Sequence, residues 1–179
     1  MGTELPLLNS APTDYTIFYA FRPNTTFPPS GFTDAILFMI QGGDAECALY
    51  RTSATQLRLK LAGSPSVSQY LDINGGDLYK MVISYKQSTG FHSLRWYNAT
   101  TDTLEEYEID ASFVSFDQTH FWINSDAAGN RADGQDLYAF KLFTEHLDKL
   151  QSVYDLFLND SATVAPPPVL STAELTWTE

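Results

Sequence analysis

Residues 78–98 read LYKMVISYKQSTGFHSLRWYN, two arms of alternating apolar and polar residues on either side of Gln87-Ser88-Thr89-Gly90. Alternation at period two is the signature of a half-buried strand, because successive side chains leave opposite faces of the backbone. A four-residue connection that ends in glycine suits a hairpin. The stretch predicts two antiparallel strands, 78–86 and 91–98.

The same pattern recurs on both sides of this hairpin. In residues 14–22, DYTIFYAFR, Tyr15, Ile17, Tyr19 and Phe21 fall on one face. Residues 34–40, DAILFMI, are nearly all apolar, as in a central strand. Residues 45–51 and 55–61 form the arms of another hairpin; in TQLRLKL, Leu57, Leu59 and Leu61 alternate with Gln56, Arg58 and Lys60. Shorter strands are expected at 67–73 and 103–109. The last two are expected at 119–124 and 136–143, joined by a polar loop rich in Gly and Asp. About eleven short strands with turns every eight to twelve residues predict an all-β fold, an antiparallel two-sheet sandwich or jelly roll.

Only residues 145–157 carry a helical stripe, through Leu147, Leu150, Val153, Tyr154 and Phe157. The expectation is one short C-terminal helix with Thr144 as N-cap. Residues 1–158 are read as one sandwich domain and 159–179 as a Pro-rich extended arm. In that arm, Pro166, Pro167 and Pro168 precede Leu175 and Trp177, which alternate with polar residues as an added strand would. The arm is expected to dock on its own domain or on a neighbouring copy.

The charge balance excludes some partners. Asp and Glu number 22 against 10 Lys and Arg, a net charge of −12. Nucleic-acid binding needs a basic footprint, and an anionic membrane surface selects against the same excess of carboxylates. The longest apolar run, 35–40, is far too short to cross a bilayer. The first ten residues, MGTELPLLNS, lack the basic and apolar regions of a secretory signal, so synthesis in the cytosol is expected. One cysteine, Cys47, allows no intrachain disulfide and is expected in the core.

Four stretches resemble the concanavalin A-like, laminin G-like jelly-roll superfamily: YTIFYAFRP, LYKMVISYKQSTGFHSLRWYN, THFWINSDAAGNRADGQDLYAFKLF and TEHLDKLQSVYDLF. They cover most of residues 14–158. The resemblance implies a sandwich of the kind found in lectins, pentraxins, carbohydrate-binding modules, glycosidases and domains of viral tails and capsids. Fold does not settle function, so each implied chemistry is weighed on its residues.

Glycosidases of this superfamily resemble E-x-D-x-E on one strand. Here Glu108-Ile109-Asp110-Ala111-Ser112 has serine in place of the third carboxylate, which leaves the acid/base role vacant. A lyase-like set of His92, Arg95 and Tyr97 is split between two strand faces. Of the three histidines, His92, His120 and His146, none adjoins a nucleophile motif. No Cys/His spacing fits zinc, and no glycine-rich loop precedes a helix. No cofactor is expected except calcium, for which the resemblance points to Asp126, Asn130, Asp133 and Asp136 in the late loop. Turn formation explains these residues equally well. A glycan platform would use Trp96 with Tyr97, or Trp122, although a tryptophan on a sandwich strand is more often core.

These readings lead to a non-enzymatic structural or binding module. The first expectation is a virion surface protein: a phage capsid decoration, tail or host-attachment protein with a protein partner. The alternatives are a free carbohydrate-binding, lectin-like module and, with less support, a glycoside hydrolase.

Overall fold

The computed structural model describes residues 5–6, 14–26, 35–42, 45–62, 66–111, 120–123, 135–143 and 145–147. Among these residues there are eleven strands: β1 (Leu5–Pro6), β2 (Tyr15–Arg22), β3 (Ala35–Gly42), β4 (Ala45–Ser53), β5 (Gln56–Ala62), β6 (Val67–Asp72), β7 (Tyr79–Lys86), β8 (Phe91–Asn98), β9 (Thr103–Asp110), β10 (His120–Ile123) and β11 (Asp136–Phe143). They form two antiparallel sheets. Sheet A has the order β1-β10-β3-β4-β5-β6, and sheet B has the order β11-β2-β7-β8-β9. The expected two-sheet sandwich is present, and ten of its strands lie where the apolar runs, alternation and turn signals placed them. The exception is β1, two residues paired with Phe121 and His120, which is too short to show a period.

Strand parity builds the core. Tyr15, Ile17, Tyr19 and Phe21 of β2 face inward beside Tyr79, Met81, Ile83 and Tyr85 of β7. Sheet A meets them with Cys47, Leu49, Leu57, Leu59, Leu61 and Leu71. Each large apolar side chain removed from water in this way stabilises the fold by about 1.5–3 kcal/mol. At the β7–β8 turn the Gly90 amide donates to Lys86 O at 3.1 Å, with Gly90 at φ 74°, a left-handed conformation that glycine adopts without a steric penalty.

Both sheets also bury residues on their outer faces. On sheet B, Phe18 and Val82 form a separate apolar cluster against Tyr97, Phe143 and Leu147. After β11 the chain turns back over this face: Thr16 Oγ1 donates to Glu145 O and accepts from the Leu147 amide, each at 3.0 Å. Of the helix expected at 145–157, residues 145–147 are described, as a bend, and the rest lies outside the described residues. On sheet A, the outer cluster is Ile36, Met39, Ala48 and Tyr50.

Candidate functional site

Trp96 does not offer the platform that its sequence context suggested. It shares inward parity with His92 and Leu94, is 3% exposed, and stacks on Tyr79 with centroids 4.7 Å apart and 12° between planes. A ring enclosed in this way is core. Tyr97 has the opposite parity and is partly exposed on sheet B, where its hydroxyl donates to Asp102 Oδ1 at 2.8 Å. That hydrogen bond raises the Tyr97 phenol above its ordinary value. Trp122 pairs in register with Met39, but its side chain lies outside the described residues.

Asp136 is exposed at the start of β11, opposite Arg22. Asp126, Asn130 and Asp133 lie outside the described residues, as do Pro166, Pro167, Pro168, Leu175 and Trp177. Among the described residues no group of three or more His, Cys, Asp or Glu side chains is placed to hold a metal. On β9, Glu106, Glu108 and Asp110 are exposed and share outward parity, with Tyr107 and Ile109 packed toward the core between them. Arg95 Nε meets Glu106 Oε1 at 2.6 Å. Ser112 lies outside the described residues.

A polar cluster of Tyr15, His92 and Cys47 lies in the interior. Tyr15 OH lies 2.6 Å from His92 Nε2, and the His92 ring stacks on Tyr85 at 4.4 Å. Burial drives the His92 pKa down to about 3, against a weaker opposing effect of a backbone hydrogen bond with Ala111. The imidazole is therefore neutral at ordinary pH, and its tautomer sets which of Nε2 and Tyr15 OH donates to the other. Cys47 reaches the same hydroxyl from sheet A; its thiol is pushed up to about 12, chiefly by burial. A thiol and an imidazole tuned in opposite directions and sealed from solvent suit packing rather than proton transfer to a substrate.

One end of the sandwich is bound together by side chains that reach main-chain carbonyls. Arg51 is 0% exposed. Its Nη2 donates to Asn24 O at 2.8 Å and Ala54 O at 3.2 Å, and its Nε donates to Ser53 O at 3.2 Å. Beside it, Asn98 Nδ2 donates to Asp77 Oδ2 at 2.9 Å, while Asn98 Oδ1 accepts from the Thr100 and Thr101 amides at 2.9 and 3.2 Å. The loops 22–26, 53–55, 73–78 and 98–102 thus form a fixed rim.

The best candidate surface is the outer face of sheet A over β4, β5 and β6. Register aligns Tyr50, Arg58 and Tyr70 in one cross-strand row. The Arg58 guanidinium lies over the Tyr50 ring, 5.0 Å from its centroid. Tyr70 is 52% exposed. Lys60, opposite Ala48 in the neighbouring row, reaches diagonally to Glu46, Nζ to Oε2 at 2.9 Å, and Tyr50 OH donates to Glu46 Oε1. Adjacent strands lie about 4.8 Å apart, so the row runs about 10 Å from the buried Tyr50 ring through the partly exposed Arg58 to the exposed Tyr70 ring. The alternation in TQLRLKL pointed Arg58 and Lys60 outward; the weaker pattern at 67–73 left Tyr70 unread.

No protein-family model matches the sequence, and no curated protein matches it. Its architecture does match solved structures. The fold is the concanavalin A-like jelly roll. This jelly roll is similar to the LG1–3 region of the laminin α2 chain, with 10% identity and a TM-score of 0.58 over 84% of this chain and 31% of that one. It is also similar to the enzymatically active domain of tailspike protein 2 from bacteriophage CBA120, with 14% identity and a TM-score of 0.57 over 84% of this chain. The chain spans 25% of that tailspike chain. A third similar jelly roll is the CBM40 module of the Ruminococcus gnavus IT-sialidase, bound to α2,3-sialyllactose, with 13% identity and a TM-score of 0.55 over 79% and 80% of the two chains. Identities this low speak for the fold alone.

Proposed function

We propose that this chain is a non-enzymatic glycan-binding module and that its binding surface is the β4–β5–β6 face of sheet A. The observation that carries the reading is the row Tyr50–Arg58–Tyr70, which puts an exposed ring beside a guanidinium held by a second ring. The C–H face of a pyranose lies on a phenol ring, and neighbouring cationic and amide groups donate to its hydroxyls. Arg58, Lys60 and Gln56 supply those donors. The jelly roll's likeness to a sialyllactose-bound module supports this reading, and its likeness to a tailspike domain supports a virion as the carrier.

A broad glycan array, run with calcium and again with chelator, tests the reading. Specific binding that falls tenfold or more in Tyr70→Ala and in Arg58→Gln is expected, a loss of about 1.4 kcal/mol or more. Binding that both variants retain would move the site elsewhere. Loss of binding in chelator would bring in the Asp126–Asp136 loop. Mass spectrometry of purified particles from the source tests the carrier; absence of the chain from them rejects a virion role.

A further inference from the structure

The outer face of β4, β5 and β6 is electrically balanced, in a chain whose net charge is −12. Among the described residues its cations are Arg58 and Lys60, and its carboxylates are Glu46 and Asp72, all with outward parity. The carboxylates flank the Tyr50–Arg58–Tyr70 row, Glu46 on the Lys60 side and Asp72 on the side of Gln56.

The two carboxylates act differently. Glu46 is nearly buried and both of its oxygens are engaged: Oε1 accepts from Tyr50 OH, and Oε2 meets Lys60 Nζ at 2.9 Å. It therefore compensates the Lys60 charge, while the ammonium, on a side chain 34% exposed, keeps N–H donors for a sugar hydroxyl. Asp72 is exposed at the end of β6, two residues and about 7 Å along the strand from Tyr70. That distance is within the Debye length of about 8 Å at physiological ionic strength, so an anion on the Tyr70 ring feels it. Its charge already reaches β9, where β6 and β9 meet across the sandwich. There it adds to the effect, led by the hydrogen bond to Glu105, that pushes the Tyr107 phenol up to about 12.

We propose, on the glycan reading of this face, that its ligands are neutral glycans and that Glu46 and Asp72 are the residues that set this specificity. A neutral sugar needs donors, acceptors and a ring to lie on, and no net charge. A sugar that carries a carboxylate or sulfate finds Lys60 already compensated and Asp72 opposing it, and it approaches a chain that is anionic as a whole. Rejection of the acidic ligand, rather than added contacts to the neutral one, makes the difference between them.

The full chain is applied to an array of matched pairs, each a neutral oligosaccharide beside the same oligosaccharide capped with sialic acid. Binding should be confined to the neutral members and should change less than about twofold between low and high salt. Glu46→Gln keeps an acceptor for Tyr50 OH and uncovers the Lys60 charge, so capped members should gain about fivefold or more over their neutral partners. Adding Lys60→Gln should remove that gain, an outcome that a purely structural role of Glu46 does not produce. Asp72→Asn, at an exposed position, should move the ratio in the same direction and carries the test where Glu46→Gln does not fold. A wild-type preference for capped members that is lost in Tyr70→Ala keeps the glycan surface and overturns the charge selection. An unchanged ratio of capped to neutral binding in the folded variants also overturns it. Wild-type protein that binds neither member of any pair rejects the surface itself, and the selection with it.

Discussion

Replacing His92 with glutamine should flatten the acid side of the stability curve. The unfolded chain takes up a proton at this histidine near pH 6.5, whereas the folded chain does so only near pH 3, because burial disfavours the cation. Lowering the pH through 6.5 therefore protonates the unfolded state first. The stability contributed by a neutral His92 is present in full above pH 6.5 and is lost on the way down to pH 3. At about 1.4 kcal/mol per pH unit, the whole window is worth about 5 kcal/mol, of which about 2 kcal/mol is already gone at pH 5. Glutamine keeps an oxygen that can accept from Tyr15 OH, now 2.6 Å from Nε2, and it carries no titrating group. Guanidinium unfolding at pH 7, 6, 5 and 4 gives free energies for both proteins. Their absolute stabilities need not agree; the readout is the change from pH 7 to pH 5, expected to be smaller in the variant by about 2 kcal/mol. Parallel curves would refute the reasoning, because they would mean that His92 titrates alike in both states.

Two further outcomes follow from packing. Trp96→Ala removes a ring stacked between the strands and should cost about 3–5 kcal/mol, read as a drop in the denaturant midpoint without a change in slope. Gly75→Ala places a Cβ 2.6 Å from Thr25 Cα and 2.9 Å from Asn24 O, both backbone atoms that cannot rotate away, so a loss of about 1–3 kcal/mol is expected from the same measurement.

Most of the fold was legible because the strands are long enough to show their period. TQLRLKL declared its faces without help from the rest of the chain, and the three leucines are buried. β8 was legible as a strand but not fully in its parity. Both of its faces carry aromatics, Trp96 on one and Phe91 with Tyr97 on the other. Ser93 and Arg95, which share the parity of Tyr97, were the signal that this face points outward. The candidate surface was half legible. Arg58 and Lys60 could be read as outward, but their meeting with Tyr50 and Tyr70 depends on the register between β4, β5 and β6, which no local pattern encodes. The fully buried Arg51 was not legible at all, because its partners are carbonyls and carbonyls are the same in every residue.

That last point bears on how the rim can change over evolution. Arg51 grips Asn24, Ser53 and Ala54 through their main chains, and the side chains of Asn24, Thr25 and Thr26 stand in solvent. The clamp does not depend on what those side chains are. Substitutions at 24–26 can alter what the loop displays without loosening how it is held, much as an antibody framework supports interchangeable loops. A lineage under pressure to switch targets could rewrite this corner one residue at a time, with the arginine beneath keeping each version folded.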